Sequence, residues 1–251
     1  MTTTAPQESR TSGAGAFLGL YRLLLRQQLS TGRLVLAGVM SGLAILVAVL
    51  LARESSTEQL EEVVGFLWIF GLGLMVPIIS LVLASSSLGH LVEDETLVYL
   101  WIRPNPRWML AAAAWLASAT IAIPATAIPL AVAGGIGSEG DATVIWAAGL
   151  SVTLGVIAYT GLFTFLGLLV RRSLIWGLVY VFIWEFFVAR VGQGTARLSI
   201  NTYAASVLAN ITDVELPLAE RAATGAIIVP IAVALVAVAL TTWRLNNANI
   251  A

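Results

Sequence analysis

Apolar residues run along this chain in long blocks separated by short polar stretches. Six blocks stand out: Leu34 to Ala52, Val63 to Ala84, Met109 to Ile136, Thr143 to Val170, Leu174 to Ala189 and Ala223 to Trp243. A helix needs ~20 residues to cross ~30 Å of hydrocarbon. Each block is therefore predicted to be a membrane span, about 34–52, 63–84, 109–136, 143–170, 174–189 and 223–243. The fifth is the shortest and carries Glu185. The third contains Pro124 and Pro129, and it and the fourth are long enough to tilt or kink.

A different pattern precedes the first block. Over 16–31, Phe17, Leu20, Tyr21 and Leu24 recur at helical spacing on one side, with Arg22 and Arg26 opposite. A basic amphipathic helix beside a span lies in the headgroup layer. Residues 1–15, rich in Thr, Ser, Gly, Ala and Pro, are expected to form a disordered tail and not a signal peptide. The predicted fold is an all-α membrane protein, a six-transmembrane-helix bundle forming one domain over 16–251.

Composition agrees: 59% of the 251 residues are hydrophobic and 11% charged. Soluble domains average about 45–50% and about 25%. With no cysteine and one histidine, His90, neither a disulfide framework nor a Cys- or His-built metal site is expected. All 13 basic residues are arginine, so a phosphate loop that needs lysine is excluded.

The charges are segregated. With the N-terminus inside, nine arginines fall on the inner side (Arg10, Arg22, Arg26, Arg33, Arg103, Arg107, Arg171, Arg172, Arg244) and four outside. Most acids, from Glu54 to Glu220, fall outside. Excess arginine marks the cytoplasmic side. Both termini are therefore expected in the cytoplasm of a multi-pass inner-membrane protein.

The stretch between the second and third blocks is the richest in motif. Its acids Glu93, Asp94 and Glu95 precede an apolar-faced run through Thr96, Leu97 and Leu100, which ends at Arg103-Pro104-Asn105-Pro106-Arg107-Trp108. Acids complement a helix N-terminus, and the prolines end the helix. A short cytoplasmic helix is predicted, either capping the bundle or contacting a soluble partner.

Glu93, Thr96, Leu97, Leu100, Arg103, Pro104, Arg107 and Trp108 resemble the first cytoplasmic loop of ABC transporter permeases of the ABC-2 export family. Glu95 stands where that family has glycine, and the alanine run 111–114 replaces a basic residue common in the family. Trp184-Glu185, Leu198-Ser199 and Tyr203 resemble a second pattern of these permeases. The resemblance implies a permease subunit paired with a second copy or a sister permease. It implies a separate cytoplasmic ABC ATPase that binds the ATP and Mg, with no cofactor on this chain. Residues about 90–102 would be the coupling helix, with Glu93, Asp94, Glu95, Thr96, Leu97, Leu100 and Arg103 docking into the ATPase. Substrate would leave the cytoplasm or inner leaflet. A non-transporting membrane scaffold would share the spans without needing an ATPase. A membrane-embedded enzyme would need a catalytic cluster that the sequence does not display.

Glu185 is the one acid inside a block. Such a residue costs about 2.5–3.5 kcal/mol on insertion scales and so faces the bundle or water. It is expected to line the translocation path or anchor an outer gate with Tyr203, or else to make a structural hydrogen bond or salt bridge. Arg190, five residues on, is expected to snorkel outward beside it. The stretch 191–221 is expected to carry a short helix near 202–209. Gly38 with Gly42, Gly71 with Gly73, and Gly155 with Gly161 are read as bundle packing before dimer contact.

Overall fold

A computed structural model describes residues 13–53, 58–93, 106–219 and 222–247, with the backbone alone over 88–93. The described chain is helical and contains no strand. Six helices are long and apolar enough to cross a membrane: Thr31–Leu51, Gln59–Ser87, Arg107–Gly137, Ala142–Leu169, Ser173–Arg190 and Ala223–Asn247. The protein is an all-α, multi-pass membrane bundle.

Helix α1, Gly13–Gln28, is the amphipathic helix. It starts at Gly13 and not at residue 16, so Gly13, Ala14 and Gly15 belong to it and not to the tail. Its predicted apolar side is the buried one. Leu24 packs on Leu110, Ala111, Ala113, Ala114 and Ala117 and on Leu245, with Phe17, Leu20 and Tyr21 around it. Removing a leucine of this kind from water contributes roughly 1.5–3 kcal/mol. The alanine run at 111–114 is thus the seat for α1, because small side chains let another helix lie close. Chain direction then changes at Leu29 and Ser30. Arg33 Nη1 donates to the carbonyls of Gln27 and Gln28, at 3.3 Å each, satisfying the end of α1.

Span 1 is α2, Thr31–Leu51. Gly38 and Gly42 on it meet nothing within 4 Å, so their expected role in packing within this bundle is wrong. Span 2 is α3, Gln59–Phe66, then a π-helical segment, Leu67–Met75, then α4, Val76–Glu93. The Val76 N–H bonds the Gly71 carbonyl, five residues back. Pro77 has a local part in this: its ring crowds the Gly73 carbonyl and it donates no N–H. Gly71 and Gly73 do pack, against Leu130 and against Phe186 with Asn201.

Span 3 is α5, Arg107–Gly137, one continuous helix through Pro124 and Pro129. Span 4 is α6, Ala142–Leu169, N-capped by Asp141, whose side chain accepts from the Thr143 N–H at 2.8 Å. Spans 2 and 4 are the centre, far more buried than span 1 or span 6. Span 4 touches spans 2, 3 and 6 along its length. It does so through glycines: a methyl at Gly161 would lie 2.9 Å from the Ala234 backbone, and one at Gly167 would lie 2.7 Å from the Ser85 carbonyl.

Span 5 is the irregular one. It comprises α7, Ser173–Val179, a π segment, Tyr180–Glu185, and a short 3-10 turn, Val188–Arg190. After α8, Gln193–Ala196, comes α9, Ile200–Thr212, covering the expected helix near 202–209. It is buried between span 4 and span 6, the latter formed by α10, Ala223–Asn247. At the other end of α10, Arg107 Nη1 donates to the carbonyls of Leu245 and Asn246, at 2.6 and 2.8 Å.

Candidate functional site

Glu185 lies at the end of the π segment of span 5, and only 1% of it is exposed. Its carboxylate meets the start of α9. Oε1 accepts from the Ile200 N–H at 3.1 Å and from the Tyr180 hydroxyl at 3.0 Å, and Oε2 accepts from the Ser199 hydroxyl. Ser199 is also the N-cap of α9, accepting from the Thr202 N–H at 3.2 Å.

The chemistry of this arrangement is that of an anion at a helix N-terminus. The first N–H groups of a helix lack partners inside it, and the helix dipole favours negative charge there. Glu185 supplies both needs from a neighbouring span. The carboxylate in return gains an amide and two hydroxyls, which offset its removal from water.

The π geometry has a visible consequence. The Phe186 N–H bonds the Val181 carbonyl, five back, and the Tyr180 hydroxyl donates to Glu185, five residues on. In a regular α-helix residues five apart diverge from one face, so the wider turn brings this pair together.

More polar and aromatic groups surround the carboxylate. The buried Tyr159 hydroxyl sits beside Glu185 without a partner of good geometry, and its ring stacks on Phe163 at 5.8 Å. Phe163 meets the Tyr180 ring edge-on at 6.1 Å. Asn201 is buried, its Oδ1 lacks a donor, and its amide nitrogen lies by Gly73 of span 2. The two π segments, in spans 2 and 5, therefore converge on one buried polar region.

Arg190, expected to snorkel outward beside Glu185, is exposed. Its guanidinium lies over the rings of Trp68 and Phe186, at 5.1 and 4.7 Å from their centroids. This cation–π sandwich ties span 5 to span 2. Trp184 Nε1 donates to the Leu198 carbonyl at 3.4 Å, a further tie between span 5 and the approach to α9.

Of the expected site residues, the structure brings Glu185 to Ser199 and leaves Tyr203 nearby. Tyr203 is half-buried, and its hydroxyl donates to the Arg197 carbonyl at 3.0 Å. With Ser199, Arg197, Val229 and Pro230 it lines a groove of about 210 Å³. Glu185 itself is enclosed by its partners. The expected coupling residues Asp94, Glu95, Thr96, Leu97, Leu100 and Arg103 lie outside the described residues. Glu93 closes α4.

Sequence reasoning did not find Tyr159, Tyr180 or Asn201, whose roles depend on tertiary contact. It also passed over Trp115. That residue sits mid-helix, and its Nε1 donates to the Ile157 carbonyl of span 4 at 3.1 Å. Among the described residues, no three His, Cys, Asp or Glu side chains converge to hold a metal. No protein-family model matches the chain, and no curated protein matches it.

Proposed function

We propose that this chain is the membrane-spanning permease subunit of an ATP-driven exporter of the ABC-2 kind. It sits in a cell membrane with both termini cytoplasmic, and a separate phosphate-loop ATPase supplies the energy. The observation that carries the reading is α9. A short buried helix, Ile200–Thr212, is wedged between spans 4 and 6 and fastened to span 5 by Glu185. The resemblance implies short re-entrant helices before the last span. The amphipathic helix packed on the start of span 3 supports the same reading.

In this scheme the stretch 90–102 receives the motion of the ATPase at the cytoplasmic ends of spans 2 and 3. Span 5 and α9, joined through Glu185 and Ser199, move as one piece on the outer side. A two-state rearrangement of packed helices then exposes the substrate path alternately. No acid–base or nucleophilic step on this chain is part of the scheme.

A mild-detergent pull-down of the tagged protein from its native membrane, followed by mass spectrometry, tests the proposal. Co-purification of a phosphate-loop ATPase that is lost when Glu93, Asp94 and Glu95 are replaced by alanine is the expected result. A complex that holds together under these conditions and contains no ATPase overturns it in favour of a membrane scaffold.

A further inference from the structure

The groove beside Tyr203 lies on the perimeter of the bundle. The approach to α9, from Arg197 to Ile200 with Tyr203, forms one wall, and Val229, Pro230 and Val233 of span 6 form the other. Leu198 at its rim and Ile228 alongside on span 6 are exposed, so the groove opens on the outward, lipid-facing side. Its hydroxyls are engaged within the protein: Ser199 donates to Glu185, and Tyr203 donates to the Arg197 carbonyl. The groove therefore offers mainly hydrocarbon to an occupant.

Arg197 adds a charge beside it. The residue is exposed, and among the described residues its guanidinium has no hydrogen-bond, ion-pair or ring partner. Arg190, seven residues earlier, lies over Trp68 and Phe186, and Arg107 bonds the carbonyls that end span 6. Depth makes the difference matter. Val229 to Val233 lie ~9–15 Å along span 6 from its start at Ala223. Half of a bilayer's hydrocarbon is ~15 Å thick, so the groove is at the level of acyl chains in the leaflet where span 6 begins. A cation beside it is costly unless it meets an anion or water, and its long side chain reaches toward the headgroups.

We propose that this groove is a binding site for an anionic phospholipid of that leaflet, with an acyl chain between α9 and span 6 and the phosphate on Arg197. The groove holds about 210 Å³, the share of roughly seven waters. A methylene is of similar size, so a stretch of roughly seven methylenes fills it. The guanidinium presents a planar fork that suits phosphate oxygens. A zwitterionic lipid brings the same chain, but its ammonium offsets the attraction of the phosphate for the arginine. The inference requires a membrane and does not depend on the exporter reading.

Photolabelling with site mapping tests it on the full chain in vesicles of equal parts phosphatidylglycerol and phosphatidylcholine with the same acyl chains. In parallel preparations one lipid or the other carries a diazirine in its acyl chain, and labelled peptides are located by mass spectrometry. Labelling over 197–203 and 229–233 is expected, about fivefold stronger from phosphatidylglycerol, as one arginine near a phosphate gives. Arg197→Gln should bring the two lipids to equal labelling there. Arg190→Gln should leave the ratio as it is, because that guanidinium is held by rings. Val233→Trp, which fills the groove, should reduce labelling by both lipids. Equal labelling by the two lipids in the unmodified protein overturns the proposal, as does an unchanged ratio in Arg197→Gln. Absence of label from both stretches overturns it too, and leaves a second copy of the chain as the cover of the groove. The comparison of lipids on the unmodified protein needs no variant to fold.

Discussion

Ser199 faces two ways: its hydroxyl donates to Glu185 of span 5 and accepts from the Thr202 N–H of its own helix. A single side chain thus caps α9 and holds it to a neighbouring span. Removing it loses both bonds, and Glu185 keeps the Ile200 amide and the Tyr180 hydroxyl. Ser199→Ala is expected to lower stability by about 1–2 kcal/mol, read as a lower melting temperature in detergent. A variant as stable as the parent would show that the joint carries no stability.

Glu185→Gln and Glu185→Leu should differ. Glutamine retains an acceptor for Ile200 and Tyr180 but turns an amide N–H₂ toward Ser199, whose hydroxyl hydrogen then loses its acceptor. The expected loss is about 1 kcal/mol, one ordinary hydrogen bond. Leucine strands an amide and two hydroxyls together, for an expected loss of about 3 kcal/mol or more. Equal melting temperatures for the two variants would contradict the hydrogen-bonded arrangement.

Span 4 gives a prediction with an internal control. A methyl at Gly167 or Gly161 meets backbone at 2.7 or 2.9 Å, and backbone cannot swing aside as a side chain can. Gly167→Ala and Gly161→Ala are each expected to cost about 1–3 kcal/mol through overpacking. Gly149 on the same helix has nothing within 4 Å. Gly149→Ala should be neutral, or stabilising by up to about 1 kcal/mol through helix propensity.

The Arg190 sandwich is open to a double-mutant cycle. Arg190→Gln and Trp68→Leu, singly and together, should give a coupling energy of about 0.5–1 kcal/mol, rising toward about 2 if the pair is well shielded from water. A coupling energy near zero would mean that the guanidinium and the indole are neighbours without being partners.

Arg107 should matter at the far end of the sequence. Its bonds to the Leu245 and Asn246 carbonyls close the last turn of span 6. Arg107→Ala is expected to speed hydrogen exchange over residues 241–247, with a loss of about 1 kcal/mol. Exchange unchanged there, in a folded variant, would remove that role.

The six spans, the amphipathic helix with its buried side, and the short helix before the last span were all legible in the sequence. Each follows from a local rule: the number of apolar residues needed to cross hydrocarbon, and the 3.6-residue period that gathers Phe17, Leu20, Tyr21 and Leu24 on one side. That Glu185 faces inward was legible too, since a carboxylate inside a span must find partners.

Which partners it finds was decided by tertiary structure. The resemblance singles out Ser199 without naming Glu185 as its partner, and the meeting of Tyr180 with Glu185 depends on a π turn that no proline or glycine in 180–185 announces. Arg190 was expected to snorkel outward beside Glu185, but that its guanidinium lies over Trp68, more than a hundred residues away, was not legible. Gly38 and Gly167 look alike in sequence, yet one faces open space and the other the backbone of span 2. Local patterns fix which residues leave water, because that is a property of each segment alone. The identity of the neighbour that replaces water is a property of the whole bundle, set when all the helices pack at once.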